Sequence, residues 1–457
     1  MFDPVIFREY DIRGVFNQHF DVAFAKQLGF SFVQYARSKG AKGDKLQFTI
    51  GMDARLSSPA LADAVAEGFR EAGASVIRLG LVTSPQTYFS TFKLPNIAGG
   101  IMITGSHNPP EYNGFKISLG NQTIFGEEIQ NLKKFFETTV PQAATKGSES
   151  SIDIHSIYLD HHFAEFGKLP SVPVVLDCGN GAAGVIARRL FERLGLKPII
   201  LFEEPDGTFP NHHPDPTVEK NLKDLSKKVL ETGAAIGIGF DGDADRIGVV
   251  DAQGKMLYGD ELMVIFARDI LSRSKGSSIV GDVKCSDRLY ADIQAHGGEP
   301  IMWKTGHSLI KEKIKTSKAP FGGEMSGHIF FADRNFGYDD AVYAGARICE
   351  ILGRTGKSVR ELLAGLPPAF CTPEIRIDTT ESKKHLIVEK LKAEFATSTS
   401  EYQSNLLDGI RVSFKDGWAL ARASNTQPVL VLRFESETQA GMDRIQSTFM
   451  KIVEPLL

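Results

Sequence analysis

Strand and helix alternate along this chain, and the rhythm starts three times before a different one replaces it. Val22 to Lys39 reads as a helix and Gln47 to Gly51 as a strand. Ser58 to Gly73 reads as a helix capped by Ser58, with Pro59 at its first position. A strand from Ser75 to Leu79 and an apolar run from Ile97 to Thr104 follow. Alternation at this spacing predicts α/β units around mixed, mainly parallel sheets. The polar, Ser-rich stretch from Thr138 to Ser151 predicts a linker. The pattern restarts with a strand at Pro173 to Asp177, a helix at Ala182 to Leu194, and paired strands at Ala234 to Phe240 and Arg246 to Asp251. It restarts again with a helix at Asp260 to Arg273, and a helix from Asp339 to Leu352 leads towards the Pro367-Pro368 break. Beyond that break the order is strand, helix, three closely spaced strands and a final helix from Thr438, which predicts an α+β unit. A length of 457 residues suits three or four domains. The expected units are therefore 1–150, 151–253 and 254–367, all α/β, and 368–457, α+β, arranged around a central cleft.

Composition narrows the function. A formal net charge of -4 provides no basic footprint for nucleic acid. The cysteines Cys178, Cys285, Cys349 and Cys371 are scattered, which predicts buried thiols rather than a disulfide framework or zinc site. The opening MFDPVIFREYDIRG lacks a signal-peptide pattern, and no run of eighteen apolar residues predicts a membrane span. A cytoplasmic, monomeric protein is expected.

Four loops carry chemistry. In Thr104-Gly-Ser-His-Asn-Pro-Pro, Gly105 frees the backbone while Pro109 and Pro110 stiffen the exit, holding Ser106 and His107 at the lip of a sheet. A serine there can take up a phosphoryl group; the bland alternative is a turn that contains Ser and His. In Gly239-Phe-Asp-Gly-Asp-Ala-Asp-Arg, the carboxylates of Asp241, Asp243 and Asp245 alternate along a loop that Gly242 permits. Such crowding predicts a hard cation, Mg²⁺ or Ca²⁺, and the alternative is a solvated acidic turn. An EF-hand is excluded, because Arg246 and Ala252 stand where its Gly and Glu belong.

Gly322-Gly-Glu-Met-Ser-Gly-His places Glu324 and Ser326 to accept and donate hydrogen bonds with sugar hydroxyls, and His328 to move a proton. Arg422-Ala-Ser-Asn-Thr-Gln-Pro offers Arg422, Ser424, Asn425 and Thr426 to a phosphate dianion, unless those polar groups satisfy only their own hairpin. Gly179-Asn-Gly-Ala-Ala-Gly184, with Glu204 downstream, leaves a dinucleotide site open as an alternative. Gly353-Arg-Thr-Gly-Lys-Ser is too short for a Walker loop and follows a helix.

In the order TGSHNPP, DGDADR, GEMSGH, RASNTQP, these motifs resemble the α-D-phosphohexomutases, and among them the bacterial phosphomannomutase/phosphoglucomutase group, along essentially the whole chain. The resemblance implies an intramolecular phosphotransferase acting on mannose and/or glucose phosphates. It implies a phosphoserine at Ser106 whose phosphate completes a Mg²⁺ shell with Asp241, Asp243 and Asp245, and a hexose 1,6-bisphosphate as intermediate and activator. Lys116 in Asn113-Gly-Phe-Lys, Arg246 and His107 would share that cluster. Tyr10 and Arg13 of the opening segment, Lys284, and His307 of Thr305-Gly-His would contact substrate. A TATA-binding-protein-like fold is implied for the last unit. Phosphoglucosamine mutase is a neighbouring alternative, although its nucleophile loop usually reads Ser-Ala-Ser-His, and a non-catalytic phosphosugar binder is another.

Overall fold

The computed structural model describes residues 2–41, 46–140, 145–424 and 427–457, which build four sheets in chain order. In the first sheet Ile97–Ile103, Gln47–Met52, Ser75–Leu81 and Glu149–Ser151 run parallel. Tyr112–Leu119 turns back antiparallel beside Ile97–Ile103, and Ile12–Val15 pairs with its far side. In the second, Ile199–Leu201, Val174–Asp177 and Ile236–Phe240 are parallel, and Ile247–Asp251 returns antiparallel. In the third, Glu299–Trp303, Ser278–Asp282 and Phe321–Gly323 are parallel, and Ile329–Phe331 returns. The fourth sheet, centred on Gly417–Ala423 and Val429–Ser436, is wholly antiparallel.

Local sequence explains these elements. Every residue of Ile236–Phe240 is buried, as expected of a strand covered on both faces. Its Gly237 admits the helix Lys223–Thr232, since a Cβ there would lie 2.7 Å from Val229 Cγ2. Thr83 and Gln86 form a capping box that starts the helix Ser84–Lys93, and the Asp340 carboxylate caps Ala341–Thr355.

Several expectations change. The helix Ser58–Glu71 begins at its expected cap residue, with Ser57 in the cap position and Pro59 at the second helical residue. The Ser58 hydroxyl instead donates to Asp53 Oδ1 at 2.6 Å. The stretch expected as a linker includes Glu149–Ser151, which extends the first sheet; its residues 141–144 lie outside the described residues. Ala182 to Leu194 splits into a 3-10 turn, Ala182–Val185, and a short helix, Ala187–Arg193. Thr305-Gly-His opens a helix, His307–Ser317, rather than a simple turn.

The second and third sheets share one continuous apolar core, from Val174 and Ile238 to Phe266 and Phe331. The fourth sheet has its own, around Leu430, Phe434 and Phe449. It meets the third through ion pairs, Arg433 on Asp260 at 2.9 Å, Lys284 on Glu374 at 3.0 Å and Arg411 on Asp287 at 2.8 Å, and through an apolar cluster of Val283, Trp418 and Leu420.

Candidate active site

All four loops singled out above join antiparallel neighbours at the end of a strand. Residues 104–111 link Ile97–Ile103 to Tyr112–Leu119, and 241–246 link Ile236–Phe240 to Ile247–Asp251. Residues 324–328 and 424–428 do the same in the third and fourth sheets.

Ser106 stands in the left-handed region at φ 49°, a strained conformation for a non-glycine residue. A buried post holds it there. Arg55 donates to the carbonyls of Ser106 (2.8 Å), Asn108 (2.6 Å), Pro109 (2.5 Å) and Tyr112 (2.9 Å), and Asp53 anchors Arg55 at 3.1 Å. Gly105 is required for this approach, because a Cβ there would sit 2.4 Å from Arg55 Cζ. Replacing Arg55 by Leu strands the Asp53 carboxylate and four loop carbonyls. The expected cost is about 3–5 kcal/mol, read as a lower urea midpoint with an unchanged slope.

The Ser106 hydroxyl donates to Asp241 Oδ2 at 2.8 Å, and its oxygen lies 3.2 Å from His107 Nδ1. Asp241, Asp243 and Asp245 are fully buried and offer oxygens within 4.8 Å of one another. The backbone N–H groups of Asp245 and Arg246 donate to Asp241 Oδ1, so the loop is shaped by its own first carboxylate. Ser84 Oγ donates to Asp243 Oδ2 at 2.6 Å and Lys116 Nζ to the same oxygen at 2.6 Å, while Lys116 also pairs with Asp245 Oδ2. Burial and the two neighbouring carboxylates push the Asp241 carboxyl well above the usual range. Burial opposes ionisation of Asp245 too, but Lys116 and His328 hold its carboxyl well below that range. Lys116 is the counterpart: burial disfavours its ammonium, yet Asp243 and Asp245 hold its pKa well above an ordinary lysine.

Whether a divalent cation suits these residues can be judged from the donors. They are hard carboxylate oxygens, and Asp243 Oδ1 is buried with no hydrogen-bond partner among the described residues. The Ser106 oxygen reaches the same cluster. The set fits a Mg²⁺-class ion.

Glu324 Oε2 is 2.8 Å from His328 Nδ1, and Glu324 Oε1 accepts the Gly306 N–H at 2.6 Å. His328 Nε2 lies 3.3 Å from Asp245 Oδ1, which ties the third loop to the second. Burial lowers the His328 pKa, but Asp245 and Glu324 outweigh it and leave the ring above an ordinary imidazole. His107 goes the other way: burial, with Arg246 and Arg13 nearby, pushes it well below. Arg246 Nε approaches His328 Nε2 at 3.2 Å, and Asp215 and Asp241 help keep its guanidinium charged against burial.

A cleft of about 1090 Å³ lies over this cluster and is lined from all four sheets. The first contributes Arg8, Tyr10, Arg13 and His107; the second His213, Asp215 and Arg246. The third contributes Lys284, His307, Glu324, Ser326 and His328; the fourth Glu374, Arg376, Arg422 and Ser424. Tyr10 crosses to the third unit, donating to Thr305 O at 2.7 Å. Arg422 Nε donates to Asp408 Oδ2 at 3.0 Å, an oxygen that also accepts the Thr305 N–H. Asn425 and Thr426 lie outside the described residues.

Sequence reasoning missed Arg55, Asp53, Ser84 and the Asp339–Lys311 pair, which lies beside His328. The Gly179–Gly184 loop is filled by its own chain: Asn180 Nδ2 donates to Glu204 O at 2.8 Å, and Ala182 N to Gly242 O at 2.9 Å. A Cβ on Gly181 would lie 2.8 Å from Gly242 O, and one on Gly242 would lie 2.4 Å from Ser106 O. These glycines let three loops pack against one another. Gly353 sits inside the helix Ala341–Thr355, and Gly356 ends it at φ 66°.

The chain matches four family models in succession. They are "Phosphoglucomutase/phosphomannomutase, alpha/beta/alpha domain I" over residues 4–142, domain II over 157–254, domain III over 258–370, and the C-terminal domain over 374–452. A phosphomannomutase/phosphoglucomutase from Pseudomonas putida is 44% identical over 444 residues, covering 97% of this chain and 94% of that protein. A phosphoglucomutase from Neisseria gonorrhoeae is 44% identical over 455 residues, covering 98% and 96%. The crystal structure of a phosphoglucomutase/phosphomannomutase family protein from Burkholderia thailandensis superposes with a TM-score of 0.91 at 41% identity, covering 100% of this chain and 98% of that one. With the loops of the first three sheets joined through Ser106–Asp241 and Asp245–His328 contacts, and family models matching nearly end to end, the chain belongs to the phosphoglucomutase/phosphomannomutase family of α-D-phosphohexomutases.

Proposed function

We propose that the protein interconverts the 1- and 6-phosphates of mannose and glucose, storing one phosphoryl group on Ser106 while a hexose 1,6-bisphosphate turns over in the cleft. The observation that carries this reading is the placement of Ser106. Its hydroxyl lies on a buried carboxylate triad and beside a neutral imidazole, beneath a cleft whose wall includes Arg422.

Asp241, Asp243, Asp245 and an oxygen on Ser106 would hold Mg²⁺, which when bound offsets charge on the transferring phosphoryl oxygens. The chain's own groups do the rest. Lys116, kept protonated by two aspartates, supplies positive charge and is a poor base, which narrows the choice of proton acceptor. His328, oriented by Glu324, accepts the proton of the attacking sugar hydroxyl. His107 Nδ1, neutral and 3.2 Å from Ser106 Oγ, accepts the serine proton when the second phosphoryl group returns. Arg422, with Ser424, holds the phosphate distant from Ser106 and must accept either end of the bisphosphate. A cleft of this size exceeds most small-ligand pockets and leaves room for that rotation. Closure of the last unit over the cleft would exclude competing water.

Coupled assays with mannose, glucose and glucosamine 1-phosphates test the reaction; turnover confined to glucosamine 1-phosphate, or none at all, would overturn it. Arg422→Ala should raise KM by about 10–100-fold, one charged hydrogen bond's worth or more, and an unchanged KM would place the phosphate elsewhere. Since carboxylates raise the His328 pKa, the ring loses its proton, and becomes a base, only above the 6.5 of an ordinary imidazole. The acid limb of kcat/KM against pH should therefore fall above that value, and His328→Gln should remove it. A limb below 6 in the native protein would exclude His328 as the acceptor.

A further inference from the structure

Beside the carboxylate triad lies a second convergence of buried donors. Asp339 is fully buried; its Oδ1 takes Lys311 Nζ at 3.2 Å, while Oδ2 has no hydrogen-bond partner among the described residues. That oxygen lies 3.7 Å from His307 Nδ1 and 3.9 Å from His328 Nε2. His307 Nδ1 and Asp245 Oδ1 are likewise buried without hydrogen-bond partners, and Asp245 Oδ1 is 3.3 Å from His328 Nε2. Asp245, His328 and Asp339 each offer one donor atom, all within 4.8 Å of one another.

Buried polar atoms that face one another without bonding call for a ligand between them. One imidazole nitrogen and two carboxylate oxygens, with a fourth position left open, suit a borderline divalent cation such as Zn²⁺ better than Mg²⁺. Bonds of about 2.0–2.1 Å in a tetrahedron put neighbouring donors roughly 3.3 Å apart. The pair His328 Nε2 and Asp245 Oδ1 already has that separation, and the 3.9 Å pair of His328 Nε2 and Asp339 Oδ2 needs only slight closure. The surroundings favour ligation as well. Glu324 Oε2 on His328 Nδ1, itself steadied by the Gly306 N–H, fixes the ring with Nε2 directed at the cluster, as in carboxylate–histidine–metal arrangements. Arg246 Nε, 3.2 Å from Nε2, is the group a cation would displace into the cleft that Arg246 already lines. Binding also releases any proton carried on Nε2.

We propose that Asp245, His328 and Asp339 form a second metal site, selective for a zinc-class cation, whose loading withdraws His328 and Asp245 from catalysis. Zinc binding stands on the geometry alone; the arrest of turnover rests on the proposed function. Equilibrium dialysis of the full chain against Zn²⁺, with Mg²⁺ in large excess, reads the site directly. The native protein and Asp241→Asn should each retain one zinc per chain, whereas Asp339→Asn should bind it at least about 10-fold more weakly. Equal affinity in Asp339→Asn, or loss in Asp241→Asn alone, would overturn the assignment and put zinc in the triad. Should Asp339→Asn fail to fold, Co²⁺ serves on the native chain. Intense four-coordinate visible bands support the site, and weak six-coordinate bands alone refute it. Phosphorylation of Ser106 enters neither measurement, so failure here leaves the mutase reading standing, and failure of the mutase reading leaves the zinc count unchanged.

Discussion

Ser106→Ala should lose at least about 10⁴-fold in turnover while unfolding at nearly the native temperature, because it removes the nucleophile and little else. Among the described residues the Ser106 hydroxyl has two polar partners, Asp241 and His107, and neither supports the loop, whose shape depends on Arg55 and the Thr104 hydroxyl. Activity and stability should therefore separate cleanly. A variant that keeps even a hundredth of native activity would show that phosphoryl transfer proceeds without a covalent store.

The second large effect is expected from Lys116→Met, and here activity and stability should move together. Lys116 is the ammonium between Asp243 and Asp245, and its removal leaves three buried carboxylates facing one another. Loss of the charge that offsets the transferring group should slow turnover by about 10²–10⁴-fold. Without added cation the fold should lose about 3–5 kcal/mol, the usual consequence of stranding buried charge. Mg²⁺ should then raise the melting temperature of this variant more than that of the native protein, because the cation takes over the role of the missing ammonium. Differential scanning calorimetry with and without Mg²⁺ reads both quantities. Equal shifts in the two proteins would mean that Lys116 and the cation do not share the carboxylates.

The chemistry of this site was far more legible in the sequence than its supports. Asp241, Asp243 and Asp245 announce themselves because alternate carboxylates around one glycine repel at a glance, and the interaction is local. The return strand of the first loop was less visible. Tyr112–Leu119, with six buried residues among its eight, follows the double proline where the sequence reading expects no strand, so the Ser106 loop was placed at the lip of a sheet without its returning partner. Arg55 was hidden for another reason: its partners are Asp53, two residues away, and four carbonyls more than fifty residues away, which no spacing rule connects. Asp339 read as the start of a helix, whereas it is Asp340 that caps the helix and Asp339 that turns inward to Lys311. The helix at His307–Ser317 lacks a capping side chain and begins at Gly306 with φ 139°, so its usual start signal is absent.

The glycine-rich loop at Gly179–Gly184 shows how a ligand-binding pattern can serve packing instead. Its glycines are needed because another backbone approaches, not because a pyrophosphate does: Gly181 meets Gly242, and Gly242 meets Ser106. Substituting Gly242 would therefore disturb the nucleophile and the cation ligands at once. The same closeness explains why Asp243 can reach Ser84 and Lys116, both in the first unit, so that one loop joins the chemistry of two sheets.

Phosphoryl transfer as proposed requires that Ser106 carry the migrating group. Dephosphorylated protein should be incubated with a hexose 1,6-bisphosphate and Mg²⁺, digested, and its peptides weighed. One phosphoryl group is expected on the peptide containing Ser106, and it should disappear when excess hexose 1-phosphate is added before digestion. An unmodified Ser106 peptide in protein that still interconverts the two phosphates would contradict it.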